Sequence, residues 1–249
     1  MRVDGPSFYD DDAVFAVYSQ RRNRPEGPNH TLEFPVVAEL LGDPVGQDFL
    51  DLGCGDGQFG RDLLAAGASS YLGIDGSENM VSAATALLRG TSGTVQRARL
   101  EELLLPVQRF SRVSARLVLH YLADLKPLFG QVSRALKDDG VFVFSVEHPV
   151  ITSSDLSATE SGLRQNWIVD DYFNTGPRTT RWMGGNVVKH HRTVEDYFSA
   201  VQSAGLQVSA LRESAPRAKH FADEELYLRR RRIPLFLIIA ARKAVRADA

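Results

Sequence analysis

The sequence has little of what marks secreted, membrane-spanning or disulfide-stabilised proteins. Its single cysteine, Cys54, excludes an intramolecular disulfide and favours a reducing compartment. The longest apolar run, residues 235–241, is too short to cross a bilayer. Residues 1–12 lack the apolar core of a signal peptide. These absences predict a cytoplasmic protein with no membrane partner.

An excess of charge of either sign is also missing. Lys and Arg number 29 and Asp and Glu number 31, so the formal net charge of −2 exerts no long-range attraction on nucleic acid. The arginine run 229–232 stands beside the acidic residues 223–225, and we interpret it as a solvated helix face. We therefore expect no nucleic-acid partner.

From residue 47 onward, short apolar segments alternate with segments whose apolar residues recur every three or four positions. This alternation is typical of βαβ units, which form a parallel sheet covered by helices on both faces. Two further apolar segments near the C-terminus predict an antiparallel closing pair. The expected fold is a doubly wound, mostly parallel α/β sheet of seven strands. The predicted strands are 48–52, 70–75, 94–100, 110–114, 141–146, 206–212 and 235–241, and the predicted helices are 59–66, 78–88, 125–136, 193–204 and 222–232.

Two segments lie outside this alternation. Residues 1–35 precede the first strand, and residues 148–192 follow the fifth strand without a clean periodicity. The second segment is loop-like and rich in Ser, Thr, Gly and aromatic residues, and such a stretch inside a compact domain usually covers a binding site. We predict a single domain over 1–249, with an N-terminal lid (1–35) and a substrate-side insertion (148–192).

The most informative stretch is the glycine-rich turn after the first strand. Gly53, Gly55 and Gly57 alternate with other residues, which lets the backbone turn sharply and lie directly against a ligand. The helix that follows presents free N–H groups at its start. The second strand ends in Asp75, and a carboxylate at that point accepts hydrogen bonds from the hydroxyls of a ribose. The pattern indicates a ligand that contains a nucleoside.

Residues 49–60 resemble the first motif of class I S-adenosylmethionine-dependent methyltransferases, acid-x-Gly-x-Gly-x-Gly, which begins here at Asp51. The likeness extends to residue 149 through segments 73–80, 117–122 and 136–149, and bacterial small-molecule methyltransferases often carry the last two. The resemblance implies a Rossmann-like methyltransferase fold. It also implies S-adenosylmethionine as the cofactor and S-adenosylhomocysteine as its product.

The resemblance also assigns roles to residues around the turn. Asp51 would support the turn, Asp75 would bind the ribose, and Leu117 would line the methionine side. Leu100 or Glu101 would meet the adenine edge. Cys54 is expected to be a small packing residue rather than a nucleophile. The full set of expected cofactor-binding residues is Asp51, Gly53, Cys54, Gly55, Gly57, Asp75, Gly76, Leu100, Glu101 and Leu117.

Two positions depart from the family pattern. Arg99 stands where an acid commonly accepts a hydrogen bond from the adenine amino group, so either Glu101 takes over that contact or the cofactor binds more weakly. Arg116 stands where a small residue is usual.

The catalytic candidates follow the fourth and fifth strands, where an open α/β sheet places its site. His120 is the first candidate for a base or orienting group, because imidazole changes protonation near neutral pH. Its alternative role is to cap or pack the loop. Glu147 is the second candidate, and its alternative role is that of a supporting carboxylate. Adjacent His190 and His191 on an extended segment point opposite ways, so we expect no metal site.

Aromatic residues in the two irregular segments suit a flat, apolar acceptor. The alternative is that these rings anchor the lids to the core. The candidate acceptor-binding residues are Tyr9, Tyr18, Arg22, Tyr121, His148, Trp167 and Trp182.

The sequence thus predicts methyl transfer to an O, N or C atom of a small, aromatic or largely apolar metabolite, in natural-product biosynthesis. One alternative is a protein that keeps the fold and binds the cofactor but catalyses a non-methylating reaction. An RNA methyltransferase and, more distantly, an NAD-dependent oxidoreductase are the others. Monomer and homodimer both stay open.

Overall fold

The computed structural model describes residues 4–22, 27–154 and 166–244. The described strands are β1 (Asp48–Leu52), β2 (Ser70–Asp75), β3 (Gly93–Arg97), β4 (Phe110–Arg116), β5 (Leu136–Glu147), β6 (Gly176–Trp182), β7 (Gly185–His191), β8 (Leu206–Arg212) and β9 (Phe236–Lys243). The described helices are α1 (Gly5–Tyr9), α2 (Asp12–Arg22), α3 (Phe34–Leu41), α4 (Gln58–Ala65), α5 (Glu78–Leu87), α6 (Lys126–Ala135), α7 (Pro149–Thr152), α8 (Val194–Ser203) and α9 (Glu224–Arg230).

The main sheet has seven strands in the order β3-β2-β1-β4-β5-β9-β8. Neighbours from β3 to β5 pair in parallel, and β9 and β8 close the sheet in antiparallel fashion. The predicted doubly wound, mostly parallel fold is confirmed. Because both faces are covered, strand β5 is buried from Gly140 to Val146, and Ser145 is the one polar residue of that stretch.

Each face of the sheet packs against its own aromatic core. On one face, Phe142 and Phe144 contact Phe129 of α6 at ring-centroid distances of 5.3 and 5.4 Å. On the other face, Phe49 and Tyr71 pack in a cluster with Phe59 of α4. These two cores fix the strand ends from which the site is built.

The loop-like expectation for residues 148–192 is wrong in part. Strands β6 and β7 pair as an antiparallel hairpin, joined by a tight turn in which Met183 and Gly184 both have positive φ. Alternate residues of β7, Val187, Lys189 and His191, are buried. The strand pattern was masked in the sequence because two of these three inward side chains are polar. Residues 155–165 of this segment lie outside the described part.

The N-terminal segment packs against the hairpin rather than standing apart. Phe8 of α1, Val14 of α2 and Val187 of β7 form a small buried cluster. A π-helical turn, Asn29–Glu33, then leads into α3. The two irregular segments therefore form a common cover, which we call the lid layer. Among the described residues, no helix has the length and apolarity of a bilayer span.

Candidate cofactor and acceptor site

A cavity of about 570 Å³ lies between the lid layer and the carboxyl ends of the central strands. Its volume falls within the range of small-molecule sites. Of the sequence-predicted residues, those that line it are Asp51, Gly53, Cys54, Gly55, Asp75, Gly76, Leu100, Glu101, Leu117, Tyr9, Tyr18, Tyr121, Trp182, His120 and Glu147.

The glycine turn is drawn tightly against the tip of β2. Gly53 has φ +72°, and its N–H donates to the carbonyl of Ile74 at 2.7 Å. A Cβ atom at Gly53 would lie 2.6 Å from Val118, so no other residue fits there without a shift. Glycine is required here both for its conformation and for the close approach.

The next glycine faces the cavity. Gly55 has φ +58°, and its N–H donates to Asp75 Oδ2 at 2.9 Å. A Cβ atom there would meet only the Tyr18 hydroxyl, at 3.2 Å, and Met80 Sδ, at 4.0 Å. Bare backbone is thus presented to the cavity beneath helix α2, which fits a ligand that lies directly on the main chain.

Asp51 is fixed from both sides. Its side chain is buried, Oδ2 accepts from the Tyr71 hydroxyl at 2.8 Å, and Oδ1 accepts from Ser114 Oγ at 2.7 Å. Tyr71 reaches this position across Gly60, where any Cβ atom would lie 2.3 Å from its ring. The fourth glycine of the turn region is therefore a packing requirement.

Asp75 joins the glycine turn to the start of α5. Its Oδ1 accepts from the Ser77 N–H at 2.9 Å, in addition to the Gly55 contact at Oδ2. Burial raises the pKa of Asp75, and the backbone N–H donors at Ser77 and Gly55 oppose that rise. Each carboxylate oxygen accepts more than one hydrogen bond, so Asp75 retains capacity for ribose hydroxyls.

The region expected to meet adenine contains a buried Leu100 and an exposed Glu101. Arg99, which replaces the usual acid, donates to Asp4 at 2.7 Å and lies 3.8 Å from Glu101. Its role in the structure is to tie the N-terminal segment to the loop after β3. Gly76 admits that segment, because a Cβ atom there would lie 2.6 Å from Pro6.

Leu117, the residue after β4, adopts a left-handed backbone with φ +53°. Its N–H donates to the carbonyl of Ser145 at 3.0 Å and to the Ser145 hydroxyl at 3.2 Å. A positive φ is strained for a leucine, and such strain collects at functional sites. The constraint turns the chain so that Leu117 and Val118 line the cavity.

Arg116 forms a buried ion pair with the N-terminal segment. Its Nε donates to Glu33 Oε1 at 3.0 Å, and its guanidinium carbon lies 4.8 Å from the centre of the Phe59 ring. Glu33 is fully buried, and Ser145 also donates to it at 2.7 Å. This pair explains why a large basic residue replaces the usual small one.

Aromatic side chains line the other end of the cavity. Tyr9 and Trp182 belong to the lid layer, and Tyr121 lies in the turn after β4. The hydroxyls of Tyr9 and Tyr121 share a hydrogen bond of 3.0 Å. Burial raises the pKa of both hydroxyls, so they stay protonated. Trp182 of β6 belongs to the same cluster.

A basic residue that the sequence analysis missed stands at this end. Lys189 of β7 is only 4% exposed, lines the cavity, and donates to Glu147 Oε1 at 2.8 Å. Its Nζ also lies 4.8 Å from the centre of the Trp182 ring. The period-two pattern of β7 is the signal that would have pointed this lysine inward.

His120 lies in the short 3₁₀ turn after β4 and is buried. Burial, together with the nearby Lys189 ammonium, lowers the pKa of His120 to about 3. The imidazole is therefore neutral at ordinary pH, and its Nδ1 has no hydrogen-bond partner among the described residues. A neutral, weakly basic ring orients a substrate better than it removes a proton.

Several predicted residues do not line the cavity. His148 caps α7, where its Nδ1 accepts from Val150 N–H, and its Nε2 contacts Glu213 at 3.0 Å. Trp167 lies under Arg232, with the guanidinium carbon 5.2 Å from its ring centre. We therefore leave His148 and Trp167 out of the acceptor pocket. Gly57 begins α4 behind the turn, and the side chain of Arg22 lies outside the described residues.

Cys54 and His191 have structural rather than reactive surroundings. Burial raises the pKa of Cys54 far above its ordinary value, which leaves the thiol without nucleophilic character. His191 contacts the Thr152 hydroxyl at 2.7 Å and the Tyr172 carbonyl at 2.9 Å. Over the described ranges, no three His, Cys, Asp or Glu side chains cluster in a way that suits a metal ion.

The chain is similar to known proteins over most of its length. The model of a methyltransferase domain matches residues 50–142. An S-adenosylmethionine-dependent methyltransferase from Mesorhizobium loti is 38% identical, with a TM-score of 0.77, over 85% of this chain and 97% of that chain. A candidate enzyme of the same class from Listeria monocytogenes is 32% identical, with a TM-score of 0.76, over 86% and 97%.

An uncharacterized protein from Haemophilus influenzae is 28% identical over 217 residues, which is 83% of this chain and 85% of that protein. The two solved structures decide the family, since each exceeds 30% identity and is covered almost completely. The chain therefore belongs to the S-adenosylmethionine-dependent methyltransferases, and S-adenosylmethionine is its cofactor.

Proposed function

We propose that this enzyme methylates an O, N or C atom of a small, largely apolar aromatic metabolite in natural-product biosynthesis. One observation carries the proposal: a single cavity joins the glycine turn and Asp75 to an aromatic wall in the lid layer. Its acceptor end is lined by rings and aliphatic side chains, namely Tyr9, Tyr121, Trp182, Leu122, Ile151 and Phe236. Such a lining fits a flat ring.

The residues present fit the cofactor. Gly53 and Gly55 offer bare backbone, and Asp75 offers a carboxylate with accepting capacity beside it. Leu100 and Glu101 line the same cavity, and we assign the adenine contact to them. When bound, S-adenosylmethionine would supply an activated methyl group to an electron pair of the acceptor, and its sulfur would keep the electron pair of the broken bond.

The protein then has to orient the acceptor and exclude water. Pre-orientation of two reactants supplies roughly 7–11 kcal/mol of barrier reduction. The buried hydroxyls of Tyr9 and Tyr121 and the neutral ring of His120 serve this positioning. Glu147 is the better candidate to receive an acceptor proton, because the low pKa of His120 makes that ring a weak base.

The non-methylating alternative loses the sequence features that favoured it. Arg99 and Arg116 looked like departures from a methyltransferase pattern, but both hold the N-terminal segment through Asp4 and Glu33. Neither blocks the turn that would carry the cofactor. The net charge of −2 offers no support to an RNA substrate.

The test compares two tryptophans that the structure separates. We expect labelled methyl transfer from S-adenosylmethionine to at least one compound in a panel of aromatic metabolites. Trp182→Ala, which removes a cavity wall, should raise the acceptor KM at least tenfold, equivalent to about 1.4 kcal/mol.

Trp167→Ala is the matched control, because Trp167 stacks against Arg232 away from the cavity. It should leave the acceptor KM unchanged. Equal effects of the two substitutions, or no transfer to any ring, would overturn the proposed function.

A further inference from the structure

We propose that Lys189 is a specificity-determining residue that binds an oxygen anion, carboxylate or phenolate, on the methyl acceptor. The proposal deepens the proposed function and rests on it. Neither the family relationship nor the glycine motif assigns any role to this residue, which lies in the hairpin outside the matched methyltransferase domain.

The first argument is the unsatisfied hydrogen-bonding capacity of the ammonium group. A lysine ammonium carries three N–H donors. Within residues 4–22, 27–154 and 166–244, Lys189 Nζ donates one hydrogen bond, to Glu147 Oε1 at 2.8 Å. The side chain is only 5% exposed, so bulk water does not readily serve the remaining N–H groups. Buried donors without an acceptor are costly, and a ligand oxygen in the cavity would satisfy them.

The second argument is the position of the ammonium beside the aromatic wall. Lys189 Nζ lies 4.8 Å from the centre of the Trp182 ring and 6.0 Å from that of Tyr121. All three side chains line the cavity. An aromatic acceptor packed against these rings would therefore present an oxygen substituent to the ammonium.

The third argument is a further cation in the lining of the cavity. Glu147 pairs with Lys189, and Arg230 of α9 lines the same cavity. Its Nε is buried and has no hydrogen-bond partner among the residues the structure describes. A cavity-lining cation with an unused donor, in addition to the Lys189–Glu147 pair, favours an acceptor that carries negative charge.

A purely structural role for Lys189 makes different predictions. The Lys189–Glu147 pair also fastens the hairpin to the end of β5, so its loss would weaken the fold. A structural role would not distinguish an anionic acceptor from a neutral one of the same shape. The experiment therefore measures that discrimination directly.

The probes are ring-matched pairs that differ in charge. One arm compares 4-hydroxybenzoate with 4-hydroxybenzamide, and a second compares ionised 4-nitrophenol with 4-nitroanisole. Their binding to the protein saturated with S-adenosylhomocysteine is measured by calorimetry, with no turnover required. The wild type should bind the anionic member of at least one pair tenfold or more tightly, and the pair that responds identifies carboxylate or phenolate as the anion.

Lys189→Met should abolish that preference by weakening the anion at least tenfold while changing the neutral probe less than twofold. Lys189→Arg should retain the preference, since the charge stays. Affinity for S-adenosylhomocysteine should be unchanged in both. If Lys189→Met folds poorly, Lys189→Met combined with Glu147→Gln removes both charges and should show the same loss of discrimination.

The outcomes separate this inference from the proposed function. If aromatic probes bind but neutral members bind as well as anions, or if Lys189→Met keeps the preference, the role of Lys189 is wrong and the proposed function stands. If no probe binds and no ring accepts a labelled methyl group, the proposed function falls and the inference with it.

Discussion

The two ends of the cavity are built in different ways. The end that we propose for the cofactor, the cofactor end, consists of the glycine turn at 53–57 together with Asp75 at the tip of the neighbouring strand. It presents backbone atoms and a carboxylate. The end that we propose for the acceptor, the acceptor end, is assembled from Tyr9, Tyr121, Trp182 and Lys189, which are far apart along the chain. The first end depends on one turn and the adjoining strand. The second forms only when the lid layer packs against the strand ends.

The difference also concerns charge. Asp51 and Asp75 at the cofactor end are held by hydroxyl and backbone N–H donors, and their geometry is already fixed. Lys189 at the acceptor end keeps hydrogen-bonding capacity that the described protein groups leave unused, as does Arg230 elsewhere in the lining of the cavity. Carboxylates that the protein already holds in place suit a cofactor that is always the same. Donors that the protein leaves unsatisfied suit an acceptor that brings its own oxygen atoms.

The largest expected loss of stability comes from breaking the buried ion pair that joins the N-terminal segment to the end of β4. Glu33→Gln removes the charge that pairs Arg116 to the N-terminal segment. Removal of one partner of a buried ion pair typically costs 3–5 kcal/mol, about the loss we expect in the free energy of unfolding by urea.

The control is the double substitution Glu33→Gln with Arg116→Met, which leaves no unpaired buried charge. It should be less destabilised than the sum of the two single substitutions. Additive losses would show that the two residues do not act as a pair.

A smaller loss of folding stability should arise from His120 as the pH falls. Its folded-state pKa of about 3 lies below the ordinary value of 6.5, so only the unfolded chain takes up a proton as the pH drops below 6.5. Folding stability is therefore lost with acid, by about 2 kcal/mol for this group between about pH 7.5 and about pH 5.

His120→Gln removes the contribution of His120 to the pH dependence of folding stability and leaves every other histidine in place. Its unfolding free energy should fall less than that of the wild type over the same pH interval. Equal losses in the two proteins would mean that His120 is not held neutral by burial.

The sequence was sufficient to predict the sheet, the glycine turn and several aromatic residues that line the cavity, but it gave no indication that Lys189 lines the cavity as well. The parallel strands were readable because short apolar segments alternate with segments of helical periodicity, although β3 ends at Arg97 and Leu100 lies in a 3₁₀ turn instead. Lys189 escaped notice because a lysine in a mixed segment reads as exposed. The role of Arg99 could not be read from the sequence, which left open a takeover of the adenine contact by Glu101 or weaker cofactor binding, because its partner Asp4 lies 95 positions away. Contacts of that kind depend on tertiary packing, which no local pattern encodes.

The most direct test of the account concerns the carboxylate at the tip of β2. Calorimetry with S-adenosylhomocysteine should show at least tenfold weaker binding by Asp75→Ala than by the wild type, equivalent to about 1.4 kcal/mol or more. Glu78 is an exposed acid at the start of α5 that pairs with Arg97 of β3. Glu78→Ala should therefore bind S-adenosylhomocysteine as tightly as the wild type does. Wild-type affinity in Asp75→Ala would contradict the placement of the cofactor on the glycine turn and Asp75.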